Sequence, residues 1–161
     1  MKSRPRPARF AVDSFNRRIQ KFSPTAQPLA QWEFASPGSL QVDRAGNIYV
    51  FDLQNYQIRK LSPTGQPLAQ WGTRGSGRGE LMVPEGVAVD GEGNVYVAEF
   101  GNERIQKLSP SGAPLAELGS GGTGAGQLKT PRGVAVDPQG RVYVADSGNA
   151  RIQVYSPDPP R

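Results

Sequence analysis

The chain contains neither cysteine nor histidine in its 161 residues. Without thiols there are no disulfides, thiolate metal ligands or cysteine nucleophiles. Without imidazole there is no Ser-His-Asp triad, and zinc sites built on His or Cys are excluded. Long apolar runs are missing too. No stretch approaches the roughly 20 residues that span a bilayer, and no apolar segment follows the basic start as a signal peptide requires. Membrane contact is therefore not expected. The compartment stays unassigned, with a cytoplasmic one expected if the chain is complete. Apolar residues make up only 36% of the sequence. What is plentiful is glycine (20) and proline (15), together about 22% against an average near 12%. That composition argues against a helical bundle and for a turn-rich all-β protein.

Charge is unevenly placed. Lys2, Arg4, Arg6 and Arg9 put four positive charges into the first nine residues, whereas the rest of the chain carries a net charge of +1. The alternation Arg4-Pro5-Arg6-Pro7 supports neither helix nor strand ladder, so residues 1–9 read as a solvated basic tail. The body is nearly neutral.

An internal repeat organises the body of the chain. GSLQVDRAGNIYVFDLQNYQIRKLSPTGQPLAQWG from Gly38, EGVAVDGEGNVYVAEFGNERIQKLSPSGAPLAELG from Glu85 and RGVAVDPQGRVYVADSGNARIQVYSP from Arg132 align without gaps over most of their length. Asp43, Asp90 and Asp137 stand 47 residues apart. A partial copy comes first. Phe10 to Asp13 matches Tyr143 to Asp146, and Arg18 to Pro24 matches the RIQKLSP segment. Each full copy reads as four short strands: GVAVD (a), NVYVAE (b), RIQKLSP (c) and PLAEL or PLAQW (d). Strand b is continuously apolar, as for a strand covered on both faces. Strand c mixes Ile105 and Leu108 with Gln106 and Lys107, which places it nearer the rim. Strand d follows a proline, which suits an edge. Four-stranded antiparallel units recurring at this spacing predict a β-propeller.

The pattern G-V-A-V-D-x-x-G-N-V-Y-V-A-[DE]-x-x-N-x-R-I-Q-[KV]-[LFY]-[SD] at Gly86–Ser109 and Gly133–Ser156 resembles the NHL repeat family of β-propellers. The likeness extends over about residues 10–157. It implies about four blades, at 10–34, 38–72, 85–119 and 132–157, with the first and last incomplete and the ring not necessarily closed. Residues 158–161 form a terminal tail. The resemblance implies several functions: RNA-binding propellers of tripartite-motif proteins, extracellular sensor and adhesion modules, and a related metal-dependent peptide-amidating lyase. That lyase uses histidine ligands, which this chain does not have. The copy from Gly38 departs from the pattern with Gln57 in place of the arginine, Phe51 in place of alanine and Leu53-Gln54 after the aspartate. Phe15 stands where glycine is usual.

Candidate sites lie at the repeated polar positions. Asp13/Asn16, Asp52/Asn55, Glu99/Asn102 and Asp146/Asn149 flank the b–c turn. An acidic group, an Asn that tolerates positive φ and a facing Arg can lock such a turn. Asp43, Asp90 and Asp137 head the a–b turns and cap them through the backbone. They offer too few oxygens for calcium. The Gly-rich loops Gly72–Glu80 and Gly119–Gln127 read as the longest and most flexible segments, and both lie on one face. The candidate interaction face comprises Arg74, Arg78, Arg18, Arg104 and Arg151. No nucleophile, acid–base pair or metal cluster stands out, so no enzyme activity, cofactor or metal is expected. The expected function is a non-catalytic scaffold for a protein partner or ligand, with self-association through open blade edges. The alternatives are an RNA-binding propeller and a C-terminal part of a larger propeller enzyme or sensor.

Overall fold

A computed structural model describes residues 7–157. Lys2, Arg4 and Arg6 of the basic tail, and residues 158–161, lie outside the described residues. Four antiparallel sheets succeed one another along the chain. Blade I holds β1 (Arg9–Asp13), β2 (Arg18–Phe22) and β3 (Pro28–Glu33). Blade II holds β4 (Pro37–Val42), β5 (Ile48–Asp52), β6 (Gln57–Leu61) and β7 (Pro67–Trp71). Blade III holds β8 (Pro84–Val89), β9 (Val95–Glu99), β10 (Arg104–Leu108) and β11 (Pro114–Leu118). Blade IV holds β12 (Pro131–Val136), β13 (Val142–Asp146) and β14 (Arg151–Tyr155). Arg9 pairs with Phe22, so the expected tail gives up its last residue to the first sheet. Blades II, III and IV each begin on a proline, one residue before the start that the repeat alignment gives.

The inner strands β4, β8 and β12 stack on one another, and β1 meets β4. The blades therefore form an arc of a propeller, and the sheets do not close into a ring. Apolar layers fill the gaps between successive blades. Ile19, Phe34, Ile48, Val50 and Leu61 lie between I and II. Phe51, Ile58, Leu81, Val95, Val97 and Leu108 lie between II and III. Ala98, Ile105, Leu128, Val142 and Val144 lie between III and IV. The same strand-c isoleucine is 0% exposed as Ile19, Ile58 and Ile105. Its fourth copy, Ile152, is 66% exposed, because no sheet among the described residues covers the far side of blade IV.

Every residue of β5 and β9 is buried, as continuous apolar strands sandwiched between two blades must be. Strand c departs from the rim expectation. Arg104, Ile105, Gln106 and Leu108 of β10 are all buried. Its polar residues are covered by a loop rather than by water.

The turns are built by side chains. Asp43, Asp90 and Asp137 each accept two backbone N–H groups through Oδ1, from the residues two and four positions on. This is the Asx device that makes aspartate a turn former. Ser23, Ser62 and Ser109 do the same in the c–d turns. The b–c turns differ from expectation. The positive φ falls not on Asn16, Asn55, Asn102 or Asn149 but one residue later, on Arg17, Tyr56, Glu103 and Ala150, at 51–56°. Trp32 and Trp71, which end strand d, lie against Gly65 and Gly112 in the c–d turn of the next blade. Trp32 also donates its Nε1–H to the Thr64 carbonyl at 3.1 Å.

Candidate functional site

The b–c turns and the two Gly-rich loops meet at one end of the arc. In blade III, Arg104 Nε donates to Glu99 Oε2 at 2.6 Å, and Asn102 Nδ2 donates to Glu99 Oε1 at 2.9 Å. Gln106 Nε2 adds a third bond to the same carboxylate at 2.9 Å. Glu99 is 0% exposed. Such a buried charge is tolerable only when paired and fully hydrogen-bonded.

This cluster grips the loop that leads into its own blade. Asn102 donates to the Gly75 carbonyl. Arg104 donates to the carbonyls of Ser76, Gly77 and Glu80. Gln106 donates to the Glu80 carbonyl and accepts from Gly79 N–H. Glu99 accepts from Met82 N–H. Blade IV repeats all seven bonds 47 residues on. Asn149 donates to Gly122, and Arg151 to Thr123, Gly124 and Gln127. Gln153 donates to the Gln127 carbonyl and accepts from Gly126, while Asp146 accepts from Lys129. Leu81 and Leu128 pin the loop ends, each 0% exposed. The loops expected to be the most flexible segments are thus clamped along their length.

Two of the five candidate interaction arginines are taken up by the loops. Arg104 is buried and uses its guanidinium on Glu99, Glu117 and three carbonyls. Arg151 is equally committed to Asp146 and three carbonyls. Both guanidinium groups are occupied within the chain. Arg18 holds Asp13 at 2.7 Å and Gln31 at 2.8 Å, with no loop above it among the described residues. Arg74 and Arg78 stand exposed on the clamped loop. Arg74 lies over the Tyr56 ring at 5.2 Å, and Arg78 reaches the Pro114 carbonyl at 3.4 Å. Exposed Arg132, 5.3 Å over the Phe100 ring, joins the same end of the arc.

In blade II, Asn55 bonds Asp52 through both its backbone and its side-chain nitrogen. Gln57 and Arg59 occupy the places of Arg and Gln, and none of the seven loop-directed bonds is present among the described residues. Arg59 reaches Asp52 Oδ2 at 3.9 Å and lies 4.9 Å over Phe34. The leader from β3 to β4 is only residues 34–36, with Phe34 in the position of Leu81 and Leu128. In blades II, III and IV, clamp and long loop are present together or missing together. The sequence carries that pairing, and the recurrence of Gln20, Gln106 and Gln153 with it. Neither stands out in the repeat pattern until the loop carbonyls are seen to need donors.

Burial pushes the Asp146 carboxyl up. The Lys129 amide, Asn149 and Arg151 outweigh it and hold the group below its ordinary value, about 3.9. Folding therefore favours the ionised form. This contribution is complete above about pH 4 and is lost as the pH falls through the depressed value. Urea midpoints measured from pH 5 to pH 2 are expected to fall. Asp146→Asn is expected to flatten that slope while lowering stability at pH 7.

Residues 81–108 and 128–155 match the NHL repeat model. Those two stretches are NHL repeats. Each matched NHL stretch runs from the anchoring leucine through strand c, so it contains the whole b–c cluster. Among solved structures, a streptogramin B lyase shares 15% identity and a TM-score of 0.70 over 94% of this chain and 51% of its own. The catalytically inactive H270A virginiamycin B lyase from Staphylococcus aureus with quinupristin shares 12% identity and a TM-score of 0.64, over 94% and 52%. A protein of unknown function from Bacteroides thetaiotaomicron shares 22% and a TM-score of 0.71, over 91% and 44%. At these identities the likeness shows the propeller fold alone. The chain spans about half the length of these structures. No curated protein matches it.

Proposed function

We propose that this NHL-repeat chain is a non-catalytic recognition scaffold that holds an acidic protein segment on its loop end. The observation carrying this reading is the clamp. Seven hydrogen bonds fix the loop at residues 75–82, and the same loop presents Arg74 and Arg78 outward. A loop already ordered loses little entropy on binding, and arginine is enriched among residues that dominate binding energy. The buried acids Glu99 and Asp146 are occupied by the loops, which supports a structural use for them.

The probe is a glutamate-rich peptide, titrated against the chain and against Arg74→Glu/Arg78→Glu. Affinity is expected to fall at least tenfold in the variant, with an unchanged circular dichroism spectrum. Equal affinity would remove the reading. Tighter binding to a single-stranded RNA oligomer, with a steep loss as salt rises, would favour the RNA-binding alternative.

A further inference from the structure

The joints between successive blades are not built alike. Trp32, Trp71 and Leu118 hold one register position, each opposite the strand-c isoleucine of its own blade (Ile19, Ile58 and Ile105). Trp32 stacks on Phe10 with ring centroids 6.4 Å apart, and Trp71 stacks on Tyr49 at 6.3 Å. At the joint between blades III and IV a leucine replaces the indole, and among the described residues no ring stacks on Tyr96. A cleft of about 510 Å³ opens there, at the end of the arc away from the Gly-rich loops. Tyr96, Lys107, Ala116, Leu118 and Val142 line it, between the a–b turns of blades III and IV. Its blade IV wall keeps the spacing of the repeat. A Cβ on Gly140 would meet Pro157 at 3.4 Å, as one on Gly93 would meet Pro110 at 3.4 Å.

The charges around the cleft are unequally committed. Asp90 accepts the backbone N–H groups of Glu92 and Asn94, the Asn94 amide and the Tyr96 hydroxyl. Asp137 accepts the backbone N–H groups of Gln139 and Arg141, the Arg141 guanidinium and the Tyr143 hydroxyl. Each carboxylate is thus taken up by its own turn. The two cations that line the cleft, Lys107 and Arg44, have no carboxylate within ion-pair distance among the described residues. Lys107 Nζ lies 5.3 Å from the centre of the Tyr96 ring. Burial pushes its ammonium down, but the Tyr96 hydroxyl and the more distant charges of Asp90 and Glu92 outweigh it and hold it above its ordinary value. The cleft therefore offers an apolar wall and a fixed positive charge.

We propose that this cleft binds a small aromatic carboxylate. The flat ring takes the room that an indole takes at the other two joints, against Ala116, Leu118 and Val142. The carboxylate meets Lys107, with Arg44 at the rim. A charge-assisted bond of this kind is stronger than one between neutral groups. The volume falls in the usual range for small-ligand sites, about 300–1,000 Å³, where an apolar lining carries a few placed polar groups. The ligand bridges blades III and IV as the two tryptophans bridge the earlier joints.

The test titrates the full chain with indole-3-acetate and follows NMR amide shifts. Saturable binding is expected, with the largest shifts at Ala116, Leu118 and Gly140. The neutral indole-3-acetamide is expected to bind at least tenfold more weakly. Lys107→Met is expected to remove that difference, and this variant should fold because blade IV carries Val154 at the same position, opposite Tyr143. Leu118→Trp is expected to close the cleft and abolish binding, with an unchanged circular dichroism spectrum. The proposal is overturned by an absence of saturation at millimolar ligand, by equal affinity for the acid and the amide, by a Lys107→Met variant that keeps the preference for the acid, or by shifts confined to residues 73–80. The glutamate-rich peptide reads Arg74 and Arg78 at the other end of the arc, so either test can fail without the other.

Discussion

Arg104→Ala is expected to destabilise the chain by about 3–5 kcal/mol, the range for breaking a buried ion pair by removing one partner. The loss has two sources. Glu99, 0% exposed, loses the cation beside it. The carbonyls of Ser76, Gly77 and Glu80 lose the donor that gathers them. The loop then loosens from Gly75 to Met82. Urea denaturation reads the first effect, and hydrogen exchange at the Gly79 and Met82 amides reads the second. Arg18→Ala is the built-in control. Its Asp13 partner is the same type of pair at 2.7 Å, but Arg18 is 32% exposed at the side chain and grips no loop. It is expected to cost about 1 kcal/mol or less, as exposed pairs do. Comparable losses for the two variants would mean that the loop contributes nothing to the worth of the clamp.

The second large effect lies at the blade joint. Gly112→Ala is expected to cost about 2–5 kcal/mol. A Cβ at Gly112 would overlap the Trp71 indole, and the backbone there sits at φ +85°. The left-handed backbone alone costs an L-residue roughly 1–2 kcal/mol, and overpacking adds about 1–3 kcal/mol. Gly93→Ala separates the two terms. Its φ is also +85°, but the nearest atom to its Cβ is Pro110 Cγ at 3.4 Å. It should show the backbone cost alone. Trp71→Ala in the Gly112→Ala background should recover the steric part. No recovery would show that the indole does not set the spacing between blades II and III.

How far the sequence reveals this molecule can be judged position by position. The 47-residue spacing of Asp43, Asp90 and Asp137 marks the blades because each aspartate bonds backbone within four residues of itself. The paired tryptophans signal blade-to-blade packing because both meet a glycine at the same repeat position. Burial of strand c was not legible. Arg104 and Gln106 are polar letters, and they lie inside only because a polar loop some 25 residues earlier covers them. The rigidity of the loops was hidden for the same reason: their composition is that of slack chain, and their partners lie far along the sequence. Positive φ at Arg17, Tyr56, Glu103 and Ala150 leaves no compositional trace, since four unrelated residue types adopt it. There the surrounding bonds impose the geometry on whichever side chain is present.

The position of the two tryptophans makes the chain its own reporter. They are the only two in the sequence. Trp32 sits at the joint between blades I and II, and Trp71 at that between II and III, while Leu118 takes the equivalent place at the end of β11. Intrinsic fluorescence therefore reads the docking of one blade on the next, not the formation of any sheet. A blade that kept its strands but slid away from its neighbour would change the emission while leaving far-ultraviolet circular dichroism untouched. Separation of blade IV from blade III would be silent at both tryptophans.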